Sequence, residues 1–576
     1  MDVMSQRQPV HTDFLAGERG TLRKKWKGKF PVALIFPNRY PLAVSNLGFQ
    51  LVYHLANSLP DVVCERFCYE PGGLKPVSLE SGRPLADFPV LLCSMSFEQD
   101  FINLVAMLAA GNVAPFAQDR GDAKCRPGQP LVIAGGVATF INPEPLAPYV
   151  DLFVAGEAEP VLGQLLEYLV DNLAQASRPQ LLADLAGQLP GLYVPRFYEI
   201  EYGERGKIVG FAPLAGIPAR VQRLFSPAPP IAGHSTLLSA DAEFADLFLA
   251  ELGRGCSRGC RFCAAGFVYR PPRLWQAESI LAALAARPKE INRVGLLGME
   301  MAKVDDLTRV ADFLLSEGCA LSFSSLRADA ISAELCSLLQ RSNLKSAAIA
   351  PDGGSERLRG VINKGISEED VLLAAEALVR AGIYHLKLYF MIGLPTETEE
   401  DLEELLSLTA KVRAVLLAVG RPQGRLSNIT LSVNSFVPKA WTPFQFHPFA
   451  TPAELKNKIK FLKKGLVGQH NVRLMVDKPV NAFYQAVLAR GDRRVGLALA
   501  TMLSTNCNWR QAMRVNGISP EDYAMRQREG DELFPWDIID HGIDKRYLWA
   551  EYQRALAGKS TPRCDTEHCK RCGVCR

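Results

Sequence analysis

"FLAELGRGCSRGCRFC", residues 248–263, opens with a short apolar run of strand character and passes straight into Cys256, Cys260 and Cys263, spaced C-x3-C-x2-C with no fourth cysteine nearby. Structural zinc sites close on four ligands, and iron–sulfur electron carriers normally use four as well. Three thiolates on a four-iron cubane leave one iron without a protein ligand, a defect in an electron carrier and an asset for binding a substrate. A cysteine loop directly after a strand also puts the triad at a strand's carboxyl end, where barrel enzymes keep their active sites.

Outward from the triad the same grammar repeats. "RVGLLGM" (293–299), "ALSFSSLR" (320–327), "KSAAIAPDGG" (345–354), "HLKLYFMIGLP" (385–395) and "ITLSVNSFVP" (429–438) each stand beside a helix-length segment such as "EEDVLLAAEALVRAG". Strands alternating with helices predict a parallel barrel or part of one. Upstream, "VALIF" (32–36), "PVLLCSM" (89–95), "PLVIAGGV" (130–137) and "VDLFVAGEAEP" (150–160) form a second alternating series, the mark of βα units around a parallel sheet. The Pro-rich "FSPAPPIAGH" (225–234) reads as a linker or extended crossover. The expected fold class is therefore α/β. A Rossmann-like domain covers 1–200, a linker 201–245, a partial TIM barrel 246–465, and a mixed, mainly helical domain 466–576.

The chain has 576 residues, 48% hydrophobic and 22% charged, which is ample for more than one core. A net charge of +4 on 65 basic and 61 acidic residues excludes a whole-molecule field for nucleic acid or anionic membrane. "MDVMSQRQPV" at the start lacks a signal-peptide pattern, and no run of about 18 apolar residues occurs. A cytoplasmic location without a membrane span is expected. Reducing compartments keep thiols free, so fourteen cysteines argue for metal binding rather than a disulfide framework. Besides the triad, Cys564, Cys569, Cys572 and Cys575 crowd into "CDTEHCKRCGVC" (564–575). Four such thiolates suit zinc or a second [4Fe-4S] cluster. The compact run favours the cluster, because structural zinc more often joins two separated cysteine pairs.

An open iron can chelate the amino and carboxylate groups of S-adenosylmethionine and hold its sulfonium beside a one-electron donor. The triad, with Phe262 before its last cysteine, resembles the radical S-adenosylmethionine superfamily, in particular a subgroup with a cobalamin-binding domain and an elongator- and methylthiotransferase-like barrel. That resemblance implies a [4Fe-4S] cluster on Cys256, Cys260 and Cys263, S-adenosylmethionine as partner, and a one-electron donor such as flavodoxin or ferredoxin. "GLLGMEM" (295–301) is similar to the superfamily's Gly-Gly-Glu element; Gly298 and Glu300 match it and Met299 departs from it. Glu300 would accept from the cofactor's ammonium. "SFSSLRADAI" offers Ser324, Ser325 and Arg327 at a strand end, Arg327 with the forked geometry that suits a methionyl carboxylate. In "GLPTETEEDLEE" (393–404), Gly393 is the expected backbone contact with the cofactor, and Thr396 or Thr398 caps a helix.

"GGVATFINPEPLAPYVDLFVAGEAEP" (135–160) is similar to the end of cobalamin-binding domains, matched at Gly135, Gly136, Asp151, Gly156, Glu157 and Glu159. Such domains carry D-x-H-x-x-G, yet none of the eight histidines here has an aspartate two residues before it. The expectation is a domain that kept the fold and lost the cofactor. Cobalamin bound without that histidine is the less favoured alternative. "SNLGFQLVYHLAN" (45–57), where the missing motif would stand, reads as a helix capped by Ser45.

The expected function is reductive cleavage of S-adenosylmethionine to a 5'-deoxyadenosyl radical that attacks an unactivated C–H bond. By resemblance, methyl or methylthio transfer to RNA or protein is the favoured outcome. The alternatives are a cobalamin-dependent radical methylase of a small molecule and a non-catalytic scaffold that binds cluster and nucleotide. No catalytic side chain is singled out. "LRKKWKGKF" (22–30) and "KNKIKFLKKG" (456–465) could touch RNA phosphates, but read better as solvated faces.

Overall fold

The computed structural model describes residues 14–298, 304–323 and 325–575. Five apolar runs pair in parallel: β1 (Phe30–Phe36), β2 (Val62–Cys68), β3 (Val90–Ser94), β4 (Leu131–Gly135) and β5 (Leu152–Val154). A short antiparallel β6 (Leu192–Tyr193) completes the order β2-β1-β3-β4-β5-β6. Val32 stands opposite both Cys64 and Val90, and Leu92 opposite Ile133. Val32 to Phe36 and Val90 to Cys93 are buried, as continuous apolar strands covered by helices on both faces must be. In this doubly wound order the chain reverses direction between β1 and β3, and the crevice beyond the carboxyl ends of those strands is the place for a ligand. The helix Leu47–Ser58 starts there. Its cap is Asn46, in extended conformation, whose side chain accepts the Phe49 N–H; Ser45, the expected cap, instead ends the preceding short helix Tyr40–Val44.

The second series also forms parallel strands, in strict chain order. β7 (Phe248–Glu251), β8 (Arg293–Leu297) and β9 (Ala320–Phe323) make one set. β10 (Ser346–Asp352), β11 (His385–Ile392), β12 (Asn428–Ser435) and β13 (Val472–Val476) make another. A parallel bridge between Leu326 and Ile349 links the two sets into a partial barrel. β13 pairs with β12, so the barrel sheet runs on past residue 465. The segment read as a linker is tied down throughout. A hairpin of Tyr198–Tyr202 and Ile208–Pro213 straddles residue 200, Val221–Gln222 pairs with Ile539–Asp540, and the buried Gln50 side chain accepts the N–H groups of Thr236 and Leu237. The C-terminal region packs an aromatic core against the barrel. Its centre is Trp536, fully buried, whose indole N–H donates to Gln445 Oε1 at 2.9 Å.

Candidate functional site

The carboxyl ends of both sheets open into one cavity of about 1070 Å³. One wall comes from the N-terminal domain: Asn46 at the helix start, Ser94 and Ser96 after β3, Gly136 after β4 and Gly156 after β5. The opposite wall carries Cys256, Cys260 and Cys263, with Gly298 after β8, Arg327, and Asp352 at the end of β10. The two glycines are demanded by close approach. Gly136 has φ +103° and an added Cβ would lie 2.5 Å from the Met95 carbonyl oxygen; Gly156 has φ +123° and its Cβ would lie 2.1 Å from the Leu224 carbonyl oxygen. Side chains are excluded there by both backbone conformation and space.

Around the triad stand five charged groups, four of them not foreseen. Asp329 accepts from Arg327 Nε at 2.9 Å and from Arg258 Nη1 at 2.9 Å. Lys364 Nζ pairs with Asp352 at 2.5 Å, and the Lys364 carbonyl oxygen accepts from Arg327 Nη2 at 2.7 Å. Arg258 Nε is buried without a partner among the described residues. Burial pushes the Cys260 thiol up, with Lys364, Arg327 and Arg258 pulling against it. Burial, then the neighbouring Cys260, pushes Cys263 up to about 11. Such thiols stay protonated until a metal displaces the proton. Among the described residues, no three His, Cys, Asp or Glu side chains already converge on one point at ligand distance. The donor set nevertheless fits a cluster. Three thiols line the cavity with Arg258, Arg327 and Lys364 on the same wall, and a thiolate-bound cluster is anionic.

The acidic run after β5 reaches across to the triad. Glu157 accepts from Arg254 at 3.1 Å, from Arg273 at 2.5 Å and from the Ser226 N–H at 2.7 Å, while Arg254, two residues before Cys256, also pairs with Glu159 at 2.7 Å and Glu251 at 3.1 Å. Glu157 and Glu159, read from the sequence as the end of the N-terminal domain, thus hold the strand that carries the cysteines.

Of the other expected contacts, Gly298 and Arg327 line the cavity. Glu300, Met299 and Ser324 lie outside the described residues. Gly393 does not face the cavity. Its N–H is donated to Glu397 at 2.6 Å, and a Cβ there would lie 2.9 Å from Leu455 and 3.0 Å from Ala450, so packing and φ +80° account for the glycine. Thr398, not Thr396, caps the helix Glu399–Gly420, donating its N–H to Asp401 at 2.8 Å. Arg258, Asp329, Asp352 and Lys364 were missed. The one signal for them is the "PDGG" turn, where Asp352 adopts φ +64°, a conformation costly for a residue with a side chain.

A doubly wound domain facing a partial barrel, with a cysteine triad at the barrel's carboxyl end, defines a class of iron–sulfur enzymes that bind a second ligand at an open iron. Two family models agree with that class: that of radical SAM proteins, N-terminal, over residues 48–195, and that of the radical SAM superfamily over residues 250–409. The chain belongs to the radical S-adenosylmethionine superfamily, and membership implies S-adenosylmethionine and a [4Fe-4S] cluster. An uncharacterized protein of Methanocaldococcus jannaschii is 29% identical over 468 residues, 81% of this chain and 89% of that one. Two solved structures are similar at low identity. One is the radical S-adenosylmethionine methyltransferase TsrM from Kitasatospora setae, with tryptophan substrate and a SAM analog bound, at 13% identity over 70% of this chain and 72% of that one, TM-score 0.43. The other is the cobalamin-dependent S-adenosylmethionine radical enzyme OxsB with aqua-cobalamin bound, at 15% identity over 66% and 52%, TM-score 0.43. No helix among the described residues is long and apolar enough to cross a membrane.

Proposed function

We propose that this chain cleaves S-adenosylmethionine reductively in the cavity between its two sheets, using a [4Fe-4S] cluster held by Cys256, Cys260 and Cys263. The observation that carries the reading is the meeting of Cys256, Cys260 and Cys263, the cations Arg258, Arg327 and Lys364 and the carboxyl ends of both sheets around one cavity. When bound, the cluster supplies the electron that breaks the carbon–sulfur bond and yields a 5'-deoxyadenosyl radical able to take hydrogen from an unactivated carbon. The chain's own residues do the rest. Arg258, Arg327 and Lys364 offset the negative charge of a thiolate-bound centre. Gly298 lines the cavity wall, and by resemblance Glu300 would accept from the cofactor's ammonium and Ser324 would add a polar contact to the cofactor. Methyl or methylthio transfer to RNA or protein is the outcome the resemblance favours, with flavodoxin or ferredoxin as donor.

The test is anaerobic reconstitution of the wild type and of a Cys256→Ala/Cys260→Ala/Cys263→Ala variant, with iron counted and 5'-deoxyadenosine assayed under dithionite. Nucleoside from the wild type alone supports the reading. A wild type that holds its cluster and S-adenosylmethionine yet releases no nucleoside moves the protein to a binding scaffold.

A second reading is favoured by the cavity's reach. It takes in the β1/β3 reversal at Asn46, Ser94 and Ser96, on the wall opposite the triad, where a second cofactor on the N-terminal domain would sit. Cobalamin bound without a histidine ligand from D-x-H-x-x-G suits that place. Stoichiometric cobalt after reconstitution with hydroxocobalamin supports it; cobalt removed completely by one desalting step counts against it.

A further inference from the structure

The tail cysteines lie against the loop of the triad rather than apart from it. The Cys564 N–H donates to the Ser257 carbonyl oxygen at 2.7 Å, next to Cys256. Three residues earlier, the Thr561 N–H donates to Asn363 Oδ1 at 2.8 Å, and Asn363 Nδ2 donates to the Gly259 carbonyl oxygen at 3.2 Å. Arg563 reaches Asp329, the partner of the cavity-lining Arg258 and Arg327, at 3.5 Å. Within the tail, the Cys569 N–H donates to the Asp565 carbonyl oxygen at 2.8 Å and the Gly573 N–H to the Lys570 carbonyl oxygen at 3.3 Å, tight turns that gather four cysteines within residues 564–575, although their sulfurs do not already converge at ligand distance.

The independent observation is Arg270. Its side chain is 4% exposed, yet no carboxylate lies within ion-pair distance among the described residues. It donates Nε to the Gly266 carbonyl oxygen at 3.1 Å and lies over the Phe267 ring at 4.3 Å and the Tyr547 ring at 5.8 Å, with the buried Cys572 of the tail close by. A buried guanidinium without a counter-anion costs several kcal/mol. Neither a free thiol nor a phenol supplies that anion at neutral pH, whereas a metal-bound thiolate does. A second cation repeats the pattern on the solvent side: Arg571 Nε donates to Cys569 Sγ at 3.1 Å and Nη2 holds the carbonyl oxygens of Pro562 and Arg563, each at 2.9 Å. One arginine on a tail sulfur and a buried arginine close beside another are what a negatively charged tetrathiolate centre requires around it.

We propose that Cys564, Cys569, Cys572 and Cys575 form a tetrathiolate site for a thiophilic metal centre, whose negative charge neutralises buried Arg270 and which fastens the tail to the loop of the triad. The ligand set suits zinc and a [4Fe-4S] cluster alike, and the test separates them. It does not rest on the function proposed above, because the triad and the tail are read separately.

The full chain, purified without oxygen, is stripped with a chelator and titrated either with Co2+ or with iron and sulfide. Alkylation of each cysteine by iodoacetamide is then read by mass spectrometry. The expected result is at least tenfold slower alkylation of all four tail cysteines in a metal-loaded chain, lost in Cys569→Ser/Cys575→Ser. Sulfur-to-cobalt charge-transfer absorption marks a single-metal site. Protection that appears only with iron and sulfide together marks a cluster. Arg270→Gln, a charge-removing change outside the ligand set, should weaken metal retention against a competing chelator by about 10–100-fold. Tail cysteines that alkylate equally fast in stripped, Co2+-treated and iron–sulfide-treated chains overturn the proposal, whatever the triad does. So does metal retention unchanged in the serine variant.

Discussion

Arg261 sits between Cys260 and Phe262, is fully buried, and faces away from the cavity into the C-terminal domain. Its guanidinium donates to Glu551 Oε2 at 3.2 Å through both Nε and Nη2, to the Val361 carbonyl oxygen at 2.9 Å, to the Lys559 carbonyl oxygen at 2.6 Å and to Thr561 Oγ1 at 3.1 Å. Arg261→Met keeps the stem and removes these donations together with a longer one to the Gly360 carbonyl oxygen at 3.4 Å. Glu551, 7% exposed, keeps only its bonds from Thr561 Oγ1 and the more distant Arg554. Removing one partner of a buried pair costs about 3–5 kcal/mol, mostly because the other charge stays behind. In a chain of several domains that loss is read locally rather than as one unfolding transition. At about 1.4 kcal/mol per tenfold, it corresponds to amide exchange faster by two to three and a half orders of magnitude. The expected pattern is faster exchange in the helix Lys545–Leu556 and in the loop 255–263 together, with the helix Leu47–Ser58 unchanged. Adding Glu551→Leu removes the stranded carboxylate and should recover a large share of the loss. Faster exchange confined to the C-terminal helix would refute the coupling of tail and loop, and unchanged exchange in both would refute the anchor itself.

Burial, reinforced by the Arg490 cation, lowers His447 to about 4, so the folded chain holds it neutral where the unfolded chain titrates near 6.5. Between those values the unfolded state takes a proton that the folded state refuses; stability should fall by about 2–3 kcal/mol on acidification from pH 6.5 to 4, and His447→Gln should flatten that part of a denaturant-midpoint profile. Gly156→Ala should destabilise the N-terminal domain by more than about 2 kcal/mol, combining a disallowed φ with a backbone clash, whereas Gly163→Ala in the helix Leu162–Asn172, where nothing lies within 4 Å, should stabilise by about 0.5–1 kcal/mol; urea melts of the two variants give the signs. Arg258→Met removes a cation from the wall beside the triad while Asp329 keeps Arg327, so the reconstituted cluster should shift to a more negative potential in an EPR redox titration. A shift in the positive direction would contradict the charge-offset role.

What was readable in the sequence is what is local. The triad and the tail are spacings, and the strands from Val32 to Phe36 or from Val90 to Cys93 are unbroken apolar runs because both faces are covered. What escaped is what the fold brings together from afar. Glu157 meets Arg254 and Arg273, and Cys564 meets Ser257, only once two domains and a tail have packed. Gly393 shows a different ambiguity: a glycine packed against Leu455 and Ala450 has the same signature in sequence as one required by a ligand. The segment around the Pro-rich stretch reads as a linker or extended crossover, and its lack of periodicity gave no sign of Thr236 and Leu237 donating to Gln50 or of Val221–Gln222 pairing with Ile539–Asp540. These long-range ties have one consequence together. They fix the carboxyl ends of two parallel sheets face to face, so any ligand large enough to fill the space touches both. The salt bridges of Glu157 and Glu159 to Arg254 then make the position of the cysteine loop depend on the N-terminal domain. A ligand that moves β5 relative to β7 has to move the triad with it.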